Sequence, residues 1–337
     1  MVLASMLTGL NTRAFPQAEN VYQLGMDSYQ RAQYKEAAML LERAESEQPG
    51  KTDAMLYAGK AYVHLQKFAE AEKCFRGYVA NSPAASDGYY LLGYVLNREN
   101  KPEESLQVYT KAASLAQPTG DDLKIVALNY VLLNDMADAA HWLERSVELD
   151  PQNADSWYYL GRAYYTASRL PDARKAYERV LQLDQHNVKA ENNLGLIYES
   201  SAKPEEALAA YRQAIEWQQG SAHASEQPYL NLGNLLLTME KTEEALAPLE
   251  KAVSLAPNNS FCYLKLGAAY LRLGRLPEAQ KELEAAVRLN PNDAIAHYQL
   301  GRYYKQVKQL DAAKAEFQRV EEIQTATAES QKPQSQH

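Results

Sequence analysis

Two runs of residues decide the fold: Trp157-Tyr158-Tyr159-Leu160-Gly161-Arg162-Ala163-Tyr164-Tyr165 and, after a polar turn, Pro171-Asp172-Ala173-Arg174-Lys175-Ala176-Tyr177. Trp157, Leu160, Gly161 and Tyr164 recur at i, i+3, i+4 and i+7, one face of a helix. Ala173, Tyr177 and Val180 give a second apolar stripe at helical spacing. Residues 154–187 therefore read as two helices joined at a turn. A Gly inside a helix costs roughly 1 kcal/mol against Ala, so Gly161 implies a steric requirement. Gly161 and Ala173 let two helix axes approach closely, while Trp157 and Tyr177 fill the space on either side.

The same pattern recurs along the whole chain of 337 residues. Leu24-Gly25, Ala58-Gly59, Leu92-Gly93, Val126-Ala127, Leu194-Gly195, Leu232-Gly233, Leu266-Gly267 and Leu300-Gly301 align with Leu160-Gly161. The step is 34 residues throughout, except 38 between Gly195 and Gly233. Nine units follow, at 18–51, 52–85, 86–119, 120–153, 154–187, 188–225, 226–259, 260–293 and 294–327. Twelve residues after the Gly stands a small residue (Ala37, Ala71, Ser105, Ala139, Ala207, Ala245, Ala279, Ala313). Four further on stands a bulky one (Leu41, Phe75, Tyr109, Leu143, Tyr211, Leu249, Leu283, Phe317). Tyr62, Tyr130, Tyr164, Tyr198, Tyr270 and Tyr304 share a column three after the Gly, and Pro83, Pro151, Pro257 and Pro291 lie near unit ends. Eight of 15 glycines fall in one column, which chance does not produce.

Composition removes several function classes. The net charge is 35 − 43 = −8, without the basic patch that nucleic-acid binding needs. Two cysteines support neither a disulfide framework nor a four-cysteine zinc site. No apolar run reaches the 18 residues of a membrane span. No His-Glu-x-x-His, Gly-x-Ser-x-Gly or dinucleotide glycine motif occurs. Gly50-Lys51-Thr52 imitates the end of a phosphate loop but lacks the earlier Gly, its place being held by Glu45. The six histidines are dispersed among repeats. No catalytic residue, metal site or cofactor is expected.

Trp157-x2-Leu160-Gly161-x2-Tyr164 … Ala173-x3-Tyr177, with proline near the unit end, resembles the tetratricopeptide repeat. The resemblance covers residues 18 to about 327. It implies an all-α, right-handed superhelical solenoid of antiparallel helix pairs, with the first helices lining a concave groove that holds peptides or partner proteins. It also implies that the second, fifth, sixth, ninth, twelfth and thirteenth places of each unit face that groove. Tyr90, Tyr94, Arg98, Tyr158, Arg162, Tyr165 and Arg302 stand at such places. Tyrosine and arginine are the common anchors of protein interfaces, so this face is expected to take a peptide mixing acidic and apolar residues. Asn193 and Asn231, with Asn234 nearby, echo an asparagine ladder known in the family, against the plainer reading of surface amides.

The units depart from the pattern in two places. The fourth has Ala127 for Gly. The sixth carries a four-residue extension around Gly220 to Ser225, read either as a longer loop or as a hinge between units 1–6 and 7–9, because each repeat touches only its neighbours. Residues 1–17 read as a capping segment. A signal sequence shortened at its start is the alternative for residues 1–14, whose missing basic region favours a cytoplasmic over a periplasmic or secreted address. Residues 328–337 read as a disordered polar tail.

Three functions remain open: a non-catalytic scaffold or adaptor, the substrate-recruiting or regulatory subunit of an enzyme on another chain, and an assembly factor stacking through its open ends. The sequence leaves the partner and the oligomeric state undetermined.

Overall fold

The structure, a computed structural model, describes residues 18–48 and 52–330. The leader 1–17, the Pro49-Gly50-Lys51 turn and residues 331–337 lie outside the described residues. No strand occurs among those described. The chain falls into two compact units that divide between residues 167 and 168, inside the fifth repeat.

The first unit contains α1 (Ala18–Gln30), α2 (Tyr34–Glu47), α3 (Thr52–His64), α4 (Phe68–Asn81), α5 (Ser86–Arg98), α6 (Pro102–Ala113), α7 (Gly120–Leu132), α8 (Met136–Leu149) and α9 (Ala154–Thr166). The second contains α10 (Leu170–Leu183), α11 (Val188–Ser200), α12 (Pro204–Trp217), α13 (Gln227–Thr238), α14 (Thr242–Leu255), α15 (Ser260–Arg272), α16 (Leu276–Leu289), α17 (Ala294–Gln306) and α18 (Leu310–Ser330). Within each unit every helix packs on its sequence neighbours, most extensively within a repeat. Eighteen helices, the number nine repeats require, occur among the described residues, and α18 continues to Ser330, past the expected start of a disordered tail at 328.

The small column meets the bulky column as the spacing requires. A Cβ added to Gly59 would lie 2.6 Å from Phe75 Cε1. One added to Gly267 would lie 2.7 Å from Leu283 Cγ and 3.0 Å from the Leu283 backbone nitrogen. Gly25, Gly93, Gly195, Gly233 and Gly301 face Leu41, Tyr109, Tyr211, Leu249 and Phe317 in the same way. In the fourth unit, Ala127 and Leu143 are both fully buried, so the departure from Gly is accommodated inside the core.

The turn between the helices of each repeat has one conformation. Ala32, Gln66, Asn100, Asn134, Ser168, Ala202, Glu240, Gly274 and Lys308 occupy one column, and all have positive φ, from 55° to 71°. The next residue's N–H reaches back to a carbonyl five residues earlier, as in Lys203 to Tyr198 at 2.9 Å and Arg275 to Tyr270 at 2.9 Å, the bond of a Schellman turn. Only Gly274 is the residue this geometry favours. Most first helices are started by a side-chain cap on the residue just before them: Thr119, Asn153, Asn187, Asn259 and Asp293 accept first-turn N–H groups, satisfying donors that have no helical partner.

The extension after α12 is fastened rather than loose. The buried Gln218 side chain donates to the Ser225 carbonyl at 2.9 Å and accepts from the Ser225 N–H at 2.8 Å. Across it, α11 still packs on α13.

Candidate binding surface

The first helices of successive repeats also touch each other: α1 with α3, α5 with α7 and α7 with α9 in the first unit, and α11–α13, α13–α15 and α15–α17 in the second. No two second helices pack comparably among the described residues. The first helices thus stand side by side and form one face of each unit.

The chain carries 24 Tyr against 5 Phe, and part of that excess, in the column three after the Gly, joins repeats. The Tyr62 hydroxyl donates to Glu42 at 2.9 Å, Tyr164 to Glu144 at 2.7 Å, Tyr270 to Glu250 at 2.6 Å and Tyr304 to Glu284 at 3.4 Å. Each bond runs from a first helix to the second helix of the preceding repeat, 20 residues back. Burial, then the hydrogen bond to Glu250, pushes the Tyr270 hydroxyl up to about 12. A second device fixes the fourth place of a repeat. Trp157 Nε1 donates to the Pro151 carbonyl at 3.0 Å, the Tyr263 hydroxyl to Pro257 at 3.1 Å, and His297 Nε2 lies 3.0 Å from the Pro291 carbonyl. Trp157 is accordingly only half-buried. It is a tethered ring at a repeat junction, where a core residue was expected, because its indole N–H must reach a carbonyl in the preceding turn.

The candidate residues divide by how far packing uses them. Tyr90 donates its hydroxyl to the Ala116 carbonyl at 2.7 Å and lies 5.8 Å from the Tyr109 ring. Tyr94 packs on the core of the first repeats. The Arg98 guanidinium lies over the Phe68 ring at 5.0 Å. Tyr158 meets Tyr159 edge-on, and Arg162 projects exposed from the same helix, 5.9 Å above the Tyr159 ring. Tyr165 is half-buried on the same helix. In the second unit, Asn193 donates to the Tyr177 hydroxyl at 3.1 Å, and Asn231 donates to Oδ1 of the buried Asn192 at 2.9 Å. Asn234 is half-buried, and its backbone carbonyl accepts from Thr238. Arg302 is exposed, bonded to Gln299 at 3.1 Å. Arg98, Arg162 and Arg302 are therefore the candidates that present exposed charge, while the Asn193 and Asn231 amides already serve internal contacts.

Lys265 on α15 is the residue that reading the sequence did not single out. It stands at the sixth place of its repeat, one of those expected to face the groove, and nothing in its neighbouring sequence distinguishes it. It is half-buried, with Nζ 4.8 Å above the Phe261 ring. Burial first and the Arg272 charge second push its ammonium below the ordinary lysine range, against a weaker pull from Glu199. No ion pair or hydrogen bond holds it among the described residues. Arg272 donates to the Leu237 carbonyl at 2.8 Å, a favourable place for a cation at the end of α13.

Both cysteines are buried, and burial raises the thiols to about 12 for Cys74 and about 11 for Cys262, leaving them little thiolate character. Among the described residues no group of three His, Cys, Asp or Glu is placed to hold a metal, and no helix is long and apolar enough to cross a membrane.

Sequence profiles of the tetratricopeptide repeat match residues 28–93, 86–119, 127–188, 187–258, 236–297 and 282–315. No curated protein matches over the sequence. Among solved structures, a tetratricopeptide repeat protein from Parabacteroides merdae shares 18% identity over 75% of this chain and 98% of its own, with a TM-score of 0.60. The Cut9–Hcn1 hetero-tetramer of the APC/C shares 16% over 93% of this chain and 62% of that one, with a TM-score of 0.58. Pseudomonas aeruginosa pilF shares 22% over 62% of this chain and 97% of its own, with a TM-score of 0.54. At these identities the likeness speaks for the fold alone. With successive profiles spanning nearly the whole described chain, and with its helix pairs, glycine column and repeated turn, the chain belongs to the tetratricopeptide repeat family.

Proposed function

We propose that the protein is a non-catalytic interaction scaffold that holds an extended partner segment, carrying acidic and apolar residues, along its first-helix face. The observation that carries this reading is Lys265. A half-buried ammonium without an ion pair or hydrogen bond is costly, and an incoming carboxylate would offset that cost. Asn193, Asn231, Lys265 and Gln299 occupy the same place in consecutive repeats. Helices are about 10 Å across, so three residues of an extended chain, at about 3.3 Å each, span one repeat. A segment lying along this face meets one polar group per repeat and leaves its intervening side chains for aromatic and apolar surface. Arg302 adds outward charge to this face of the second unit, and Arg162 presents charge on the first-helix face of the first unit.

The test is titration calorimetry against a partner recovered from the native source. Lys265→Glu should weaken binding by about 1–3 kcal/mol, the range of an interface hot spot, and Arg162→Glu should act in the same direction. Unchanged affinity for both variants, with melting curves like the parent's, would rule out the first-helix face as the binding surface.

A further inference from the structure

The junction of the third and fourth repeats lacks three devices that close other junctions. The fourth place holds Leu123, where Trp157, Tyr263 and His297 reach a proline carbonyl in the preceding turn, and the matching proline is Gln117. Late in the second helix, where other repeats carry Val79, Val147, Ile215, Val253 and Val287, the third carries Ala113. The Tyr130 hydroxyl lacks its glutamate, because the residue 20 positions back is Thr110, whose own hydroxyl bonds the Leu106 carbonyl at 2.9 Å. In addition α6 spans only 12 residues, against 14 for α4 and α8.

The missing volume is a pocket of about 320 Å³, within the size range of small-ligand sites. Leu106, Tyr109, Leu123 and Val126 form apolar walls, and Tyr130 and Trp142 complete them. The Tyr130 hydroxyl and the Trp142 indole N–H have no hydrogen-bond partner among the described residues, and neither atom is sealed from solvent. The pocket thus offers two donors on apolar walls. The Asp122 carboxylate, bound by the Thr119 N–H at 2.8 Å, lies close enough to raise the Tyr90 and Tyr109 hydroxyls after burial has done so. That negative charge disfavours an anionic occupant.

We infer that this pocket receives an uncharged aromatic or branched apolar side chain from a partner segment, with a neighbouring backbone carbonyl accepting from the Tyr130 hydroxyl. The inference rests on the reading of the protein as an interaction scaffold, but the pocket lies wholly in the first unit and can be tested without the partner. The reporter is the fluorescence of Trp142 in the full chain carrying Trp157→Phe and Trp217→Phe. The probes are N-acetyl-phenylalaninamide, N-acetyl-leucinamide and, as the charged control, N-acetyl-aspartamide. The two apolar probes should give saturable changes with midpoints on the order of 1 mM, as expected for ligands of this size, and the aspartate probe none. Ala113→Val should weaken binding at least about tenfold, and Tyr130→Phe about threefold or more with the fold intact. Lys265→Glu, in the second unit, should leave the response unchanged, so that failure of one site is separable from failure of the other. No saturable response in the parent, or an equal response in Tyr130→Phe and Ala113→Val, would overturn the inference.

Discussion

Tyr270→Phe removes one oxygen from a rung that joins the eighth repeat to the seventh. The Tyr270 ring is 9% exposed, and Phe keeps its packing, so the change isolates the 2.6 Å bond to Glu250. Hydrogen bonds to charged groups contribute about 1.5–3 kcal/mol. Glu250 is exposed and regains water when its partner is lost, which places the expected effect near the lower end, about 1–2 kcal/mol. In a solenoid the damage should stay near the affected interface. Hydrogen exchange should therefore show faster opening of α14 to α16, with little change in α10 and α11. The cycle of Tyr270→Phe, Glu250→Gln and the double variant should give a coupling energy of about 1 kcal/mol. Tyr130→Phe, which has no glutamate to lose, should stay within about 0.5 kcal/mol of the parent. Additive effects of the two substitutions, or equal losses from Tyr130→Phe and Tyr270→Phe, would show that the hydroxyls do not join repeats.

Gly267→Ala should lose about 1–3 kcal/mol by overpacking, since its methyl meets both the Leu283 side chain and backbone; denaturant melts monitor it. In the turn column, Gly274→Ala should destabilise by about 1 kcal/mol, whereas Ala202→Gly should be neutral to slightly stabilising, because relief of left-handed strain offsets the added freedom of the unfolded chain. Acid melts test Glu72. Burial opposes its ionisation, but a proton kept on the neighbouring Glu99 carboxyl, and hydrogen bonds from Lys101 and Arg76, outweigh burial and hold the carboxyl at about 2, against 4.5 in the free residue. A lowered folded pKa gives stability present above pH 4.5 and lost as pH falls toward 2. Glu72→Gln should therefore lack the part of the acid-induced loss that the parent shows between those values.

The helix pairs, their register and the facing of Gly and bulky columns were legible because each rests on a residue type repeated at fixed spacing. Gly59 against Phe75 and Gly233 against Leu249 are direct readings of that period. The left-handed turn residues were invisible, because Ala32, Gln66, Glu240 and Lys308 carry no common side chain, and the backbone bonding of the turn imposes the conformation on them all. The tyrosine–glutamate rungs did leave a signal, since Tyr62, Tyr164, Tyr270 and Tyr304 each have Glu 20 residues earlier. Noticing it requires comparing columns across repeats rather than within one. The expected face was harder to read. A place in the register fixes which helix a residue stands on, but whether Tyr90 or Asn231 is spent on a neighbour depends on a carbonyl or amide in another repeat. Lys265 stands apart through its burial, a property of the packed helices rather than of its local sequence.

Selection from a random displayed peptide library, carried out in parallel with the parent and with Lys265→Glu, tests the scaffold reading most directly. The parent should enrich peptides in which acidic residues alternate with apolar ones, and Lys265→Glu should lose that acidic preference while melting like the parent. Enrichment of basic or featureless peptides by the parent, or the same acidic peptides from both proteins, would contradict the account.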